Sequence, residues 1–206
     1  QWIAADQQPK LRPVINATGI LLHTGLGRAP LPSAAIAAMH QVAAGYASVE
    51  VDLPSGQRSQ RVHSVTKLLC ELTGAEAVAV ANNTAGATML TLAALGAGKE
   101  IIVSRGQLVE IGGSYRLPDV MTVSGAKLRE VGTTNKTRIS DYEQAISEDT
   151  GALMRVHTRN YVINGFNQEA SLQELFGVAR QHYLPLIDDI GSGALVDFAK
   201  YGIVGE

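Results

Sequence analysis

The chain has 206 residues, of which 46% are hydrophobic and 17% are charged. This composition excludes an intrinsically disordered chain, which combines low hydrophobicity with high charge, and the length fits one domain or slightly more. The net charge of −2 at pH 7 gives no sign of a nucleic-acid-binding surface, which usually carries a basic excess. Because Cys70 is the single cysteine, we expect no intrachain disulfide, no metal site built on cysteines and a reducing, cytoplasmic compartment.

Neither a membrane span nor a signal peptide is expected. The longest apolar stretch, residues 87–97, is interrupted by Thr88 and Thr91 and is shorter than the roughly 20 residues that a span requires. The chain does not open with a charged segment followed by an apolar core. Residues 1–13 are polar and contain two prolines, so we expect an N-terminal arm or linker there and a single domain over 14–206.

Apolar runs and helical periodicity alternate along the chain. Helices are predicted over 34–44, 61–72, 84–95, 140–146 and 171–182, and strands over 77–81, 100–103, 128–131, 153–156 and 184–187. Capping boxes are predicted to start the last two helices, Ser140 with Glu143 and Ser171 with Glu174. Short apolar strands between helices predict an α/β fold with a mainly parallel sheet and helices on both faces.

Polar segments follow several of these strands. Residues 82–87 lead into a helix, where small residues and a helix N-terminus suit a phosphate, although Asn83 and Thr84 are also ordinary N-cap residues. Asp188 and Asp189 close a buried strand, and ligands of open α/β sheets bind outside such strand ends. Neighbouring strand residues face opposite sides, so only one of the two acids can meet a given ligand.

Two further segments hold candidate residues. His157 and Asn160 follow another apolar strand, and a lone histidine at such a place is more often structural than functional. Arg28 follows a glycine-rich turn, where a guanidinium suits an oxyanion, with an ordinary surface arginine as an equal alternative.

Taken in order, several segments resemble the bacterial L-seryl-tRNA(Sec) selenium transferases, the selenocysteine synthases. They are residues 16–19, 23–24, 26–31, 72–76, 103–114, 118–121, 130–137 and 188–193. The resemblance covers the chain from about residue 12 onward, and residues 104–114 are its most specific part. It implies the large domain of a fold-type-I transferase that uses pyridoxal 5′-phosphate (PLP).

The resemblance also implies roles for individual residues. The implied cofactor-binding residues are Asn83, Thr84, Ala85, Asn160, Asp188 and Asp189, and the implied catalytic residues are Asp188, Arg28 and His157. The turn that begins at Asn83 would bind the cofactor phosphate, and Asp188 is the first choice, before Asp189, for the pyridine nitrogen. Asn160 or His157 would lie near the ring or its hydroxyl.

The implied reaction converts seryl-tRNA(Sec) to selenocysteinyl-tRNA(Sec), with selenophosphate as the selenium donor and through an aminoacrylate held on PLP. Arg28 would help to bind the selenium donor or the aminoacyl group, and a homo-oligomer is expected. Because none of the six lysines stands in the Ser-Gly-Asp-Lys-type motif of the family, we expect a truncated domain that is inactive alone. The alternatives are a related PLP-dependent lyase or transferase acting on a small amino acid or amino sugar, and a non-catalytic remnant.

Overall fold

The computed structural model describes residues 11–113, 115–158, 161–191, 193–195 and 197–202. The chain divides into two compact units, residues 1–61 and 62–206. Most of the predicted arm over 1–13 lies outside the described residues, and the predicted boundary at residue 13 stays a prediction.

The first unit contains one α-helix, α1 (Ser33–Ala43), among its described residues, close to the prediction. A 3₁₀ turn at Thr24–Leu26 precedes it. Glu50 accepts hydrogen bonds from Arg58 at 2.9 Å and from Arg61 at 2.6 Å. Every residue described in this unit, 11–61, is exposed or half-buried, so this stretch forms no buried core.

The second unit contains the predicted parallel sheet. Its helices are α2 (His63–Thr73), α3 (Thr84–Gly96), α4 (Leu117–Ser124), α5 (Ile139–Ala145) and α6 (Leu172–Gln181), and its strands are β1 (Glu100–Ser104), β2 (Glu110–Ile111), β3 (Tyr115–Arg116), β4 (Lys127–Val131), β5 (Thr150–Val156) and β6 (Leu186–Asp189). Four strands form a sheet in the order β4-β1-β5-β6, with every pair parallel, while β2 and β3 form a small antiparallel pair.

Helices cover both faces of this sheet, as predicted. Leu92 of α3 and Met121 of α4 join a buried cluster with Ile101, Val103 and Met154. On the other face Tyr142 of α5 and Leu175 of α6 cluster with Ile102 and Leu153. Since successive strand residues point to opposite faces, each buried strand supplies both clusters.

Two predictions about local structure are wrong. Residues 77–81 form no strand, because a strand needs a hydrogen-bonded neighbour and no described segment pairs with them. Ser140 and Glu143 do not cap α5, which begins one residue earlier. There the Asp141 carboxylate accepts the backbone N–H of Arg138 at 2.8 Å.

Other local predictions are confirmed or were incomplete. The capping box of α6 is confirmed, because Ser171 and Glu174 each accept the other's backbone N–H, at 3.2 and 2.8 Å. Helix α4 was not predicted, although Pro118 in its first turn and the following Asp119 are ordinary signals of a helix start. Strands β2 and β3 have two residues each, too few for a detectable alternation.

Candidate functional site

Asp188 and Asp189 are the last two residues of β6, whereas the sequence placed them just after the strand. In the register with β5, Arg155 lies opposite Asp188 and Val156 opposite Asp189. Arg155 donates to the Asp188 carboxylate at 3.0 Å, and these side chains are only 24% and 25% exposed. Asp188 alternates with Asp189 along the strand, so this ion pair lies on the face covered by α5 and α6.

Asp189 points to the opposite face, toward α3. Its Oδ2 accepts a hydrogen bond from the Thr88 hydroxyl at 3.2 Å, and its Oδ1 accepts the backbone N–H of Gly191 at 3.1 Å. A carboxylate offers about four acceptor positions, so both oxygens keep capacity for a further donor.

Helix α3 begins on the same side of the sheet as Asp189. Asn83 is its extended N-cap residue, with φ −161°, and its Oδ1 accepts the backbone N–H of Gly86 at 2.8 Å. The interpretation of Asn83 as an ordinary N-cap residue is therefore confirmed. It is compatible with anion binding, because a helix N-terminus has several N–H groups without intrahelical partners and the positive end of the helix dipole.

The Asp189 carboxylate and the N-terminus of α3 border the same cavity, which has a volume of about 480 Å³. The residues that line it come from the first half of α3, from the end of β6 and the residues just after it, from the segment before α3, and from single positions of α2 and β5. They include Ala79, Val80, Ala81, Asn83, Thr84, Thr88, Met154, Asp188, Asp189 and Gly191. Its volume suits a small ligand or cofactor. Its lining includes the N-terminus of α3 and the carboxylate of Asp189.

Tyr115 was not predicted as a site residue. Its hydroxyl is inaccessible to solvent and has no hydrogen-bond partner among the described residues. Its neighbours include the Thr88 hydroxyl and Asp189, whose negative charge acts on it. Burial raises the pKa of Tyr115 above its ordinary value, the Thr88 hydroxyl lowers it, and the negative charge of Asp189 raises it further.

The remaining predicted residues are less closely tied to this cavity. His157 has an exposed side chain, and its backbone N–H donates to the Asp189 carbonyl at 2.9 Å. Ala85 lies half-buried in the first turn of α3, and Asn160 lies outside the described residues. Arg28 belongs to the first unit, where it is exposed and has a left-handed backbone, with φ 64°.

Within the described ranges, no three residues among His, Cys, Asp and Glu group closely enough to hold a metal ion. The helices of those ranges are also too short or too polar to cross a membrane.

Comparison with known proteins identifies relatives along nearly the whole chain. The family model described as L-seryl-tRNA selenium transferase matches residues 14–206. An L-seryl-tRNA(Sec) selenium transferase of Geobacter metallireducens is 52% identical over 204 residues, which are 99% of this chain and 44% of the relative. One of Moorella thermoacetica is 56% identical over 196 residues, which are 95% of this chain and 42% of the relative. The chain therefore spans less than half the length of these curated relatives.

Solved structures show the same fold at low sequence identity. A D-glucosaminate-6-phosphate ammonia-lyase superposes with a TM-score of 0.68 at 22% identity, over 87% of this chain and 49% of that one. A pyridoxal-5′-phosphate-dependent protein of Escherichia coli superposes with a TM-score of 0.50 at 22% identity, over 70% of this chain and 38% of that one. These likenesses agree with the predicted α/β fold with a mainly parallel sheet, and the chain covers less than half of each of these two structures.

Proposed function

Because the chain belongs to the L-seryl-tRNA selenium transferase family, we propose that it forms part of the catalytic domain of a selenocysteine synthase. The reaction converts seryl-tRNA(Sec) to selenocysteinyl-tRNA(Sec), with selenophosphate as the selenium donor and PLP as the cofactor. The observation that carries the proposal is the single cavity lined by both Asp189 and the N-terminal residues of α3.

The described residues fit PLP at both of its polar ends. The phosphate would bind at the N-terminus of α3, where Thr84 lines the cavity and the first-turn N–H groups and helix dipole favour an anion. The pyridine nitrogen would donate to Asp189, whose oxygens keep acceptor capacity beside Thr88 and Gly191. When bound there, PLP withdraws electrons from the α-carbon of the amino acid that it holds.

The geometry supports Asp189 rather than Asp188, the first choice from sequence, as the partner of the ring nitrogen. The Asp188 carboxylate bonds Arg155 on the sheet face away from α3. Asp189 faces α3 and so shares a side of the sheet with the phosphate-binding turn. A carboxylate at the ring nitrogen keeps that nitrogen protonated, which is the charge state that withdraws electrons best.

Three further residues have proposed roles that do not depend on Asp189 or on the N-terminus of α3. Arg28 supplies a guanidinium for selenophosphate or the aminoacyl group, since arginine binds oxyanions through two parallel hydrogen bonds. His157 and Asn160 follow β5, the strand beside β6, and are assigned to the ring or its hydroxyl. The protein is proposed to act as a homo-oligomer.

A chimera tests the activity. In the Geobacter metallireducens relative, the 204 matching residues are replaced by this chain, and the purified chimera is incubated with seryl-tRNA(Sec), PLP and radioactive selenophosphate. We expect label on the tRNA, with the unmodified relative as the positive control and seryl-tRNA(Ser) as the negative control. A folded chimera that binds PLP and transfers no selenium would contradict the proposal.

A PLP titration tests the site in the 206-residue chain itself. Replacing a charged hydrogen-bond partner costs about 1.5–3 kcal/mol, so Asp189→Asn should raise the dissociation constant about 10- to 100-fold. Asp188→Asn is the matched control, because Asp188 also lines the cavity but its carboxylate is paired with Arg155 on the other face of the sheet. An equal loss in both variants would remove Asp189 from its assigned role.

A further inference from the structure

One buried polar group near the cavity is not used by the function proposed above. The Tyr115 hydroxyl is hidden from solvent and has no hydrogen-bond partner among the described residues. A buried hydroxyl without a partner costs about 1–3 kcal/mol. Such a group in a folded protein therefore needs an explanation, and its neighbours supply one.

Tyr115 has Thr88 as a neighbour, and the Thr88 hydroxyl holds Asp189. Thr88 has one hydroxyl proton, and it donates this proton to Oδ2 of Asp189. The lone pairs of the Thr88 oxygen remain available to an incoming donor. Tyr115 lies beside this oxygen and has a proton to donate. A small rotation of either hydroxyl would complete a chain from Tyr115 through Thr88 to Asp189.

A hydrogen-bond chain of this kind strengthens its members, because each donor polarises the next one. Hydrogen bonds of a site are also often long before the ligand arrives and tighten in the complex. We propose that Tyr115 is a positioning residue, whose hydroxyl donates to Thr88 and thereby fixes the Asp189 carboxylate toward the ring nitrogen of bound PLP. This inference rests on the proposed PLP site.

The test is a double-mutant cycle on PLP affinity in the 206-residue chain. Loss of one hydrogen bond corresponds to about a three- to tenfold change, so Tyr115→Phe should raise the PLP dissociation constant by that factor. The same change in an Asp189→Asn background should have no further effect, because Tyr115 acts through that carboxylate. Tyr183→Phe is the matched control, since Tyr183 is 95% exposed.

A second background tests the link through Thr88. Thr88→Val removes the hydroxyl that lies between Tyr115 and Asp189, so Tyr115→Phe should have no further effect on the PLP dissociation constant in that background. Thr88→Ser keeps the hydroxyl and should keep the effect of Tyr115→Phe.

The outcomes separate the two proposals. If the wild-type chain takes up no PLP, both the proposed site and the role of Tyr115 are overturned. If it binds PLP and Tyr115→Phe binds equally well, only the positioning role is overturned. The same holds if Tyr115→Phe loses as much affinity in the Asp189→Asn background as in the wild-type background.

Discussion

The Thr88 hydroxyl donates to Oδ2 of Asp189 at 3.2 Å, although 101 positions separate the two residues in the chain. This hydrogen bond joins the second turn of α3 to the last residue of β6. It shows that, of the two adjacent acids, Asp189 faces the helix whose N-terminus lines the cavity.

The titration of Tyr115 should report the charge of Asp189. A neighbouring negative charge disfavours the phenolate and raises the pKa of Tyr115, so Asp189→Asn should lower that pKa. The pKa should stay above its ordinary value of 10.0, because burial is the larger cause of the shift. The measurement is the ¹³Cζ resonance of labelled tyrosine against pH, assigned with Tyr115→Phe. A similar decrease in Asp188→Asn would show that the orientation of the two acids is wrong.

The Arg155–Asp188 ion pair should stabilise the end of β6. A hydrogen bond between charged groups contributes about 1.5–3 kcal/mol, so a double-mutant cycle with Arg155→Gln and Asp188→Asn should give a coupling of that size in urea unfolding. The exposed pair Arg105–Glu130, with side chains 50% and 41% exposed, is the control and should couple by less than about 1 kcal/mol. Equal couplings for the two pairs would contradict this assignment.

Gly106 should tolerate no side chain. A Cβ at this position would lie 2.6 Å from the carbonyl oxygen of Thr134, a backbone atom that cannot turn away. Gly106→Ala should therefore lower the free energy of unfolding by about 1–3 kcal/mol. Gly177→Ala, in α6 and facing open space, should instead raise it by about 0.5–1 kcal/mol. Chemical denaturation measures the free energy of unfolding of both variants. An unchanged free energy of unfolding in Gly106→Ala would show that the backbone at Thr134 can move away.

The Glu174 carboxylate should make stability depend on pH. Its hydrogen bonds with the backbone and side chain of Ser171 lower the pKa of Glu174 below its ordinary value of 4.5. A group with a lowered folded pKa stabilises the fold above its unfolded pKa, and this contribution is lost as the pH falls through the folded value. The urea midpoint of Glu174→Gln should therefore fall less than that of the wild type below pH 4.5. If the urea midpoints of the wild type and of Glu174→Gln fall in parallel with pH, Glu174 does not contribute to the pH dependence of stability.

Much of the second unit was predictable because its signals are local. The apolar periodicity of 61–72 and the Ser171–Glu174 capping box each lie within one helix, and the structure places a helix at His63–Thr73 and the capping box at the start of α6. The strand over 77–81 failed for the opposite reason. Its composition is strand-like, but a strand exists only with a hydrogen-bonded neighbour, and the residues themselves do not reveal one.

Some residues of the candidate site could likewise be predicted from local sequence, and others could not. The residue types at strand ends and at the start of α3 pointed to one edge of the sheet, and the structure brings Asn83, Thr84 and the two acids to one cavity. Thr88 could have been found, since it lies one turn after Thr84 on the same helix face. Tyr115 carried no signal, because its relation to Asp189 arises only when separate elements pack together.

The family, the alternation of helices and strands, and the acid pair at a strand end are all encoded in short segments of the chain. The packed structure was needed to show that Asp189 faces α3 while Asp188 pairs with Arg155, because side chains along a strand alternate between its two faces. A shift of one residue in register exchanges the two faces, and the register depends on the neighbouring strand and on the packed helices.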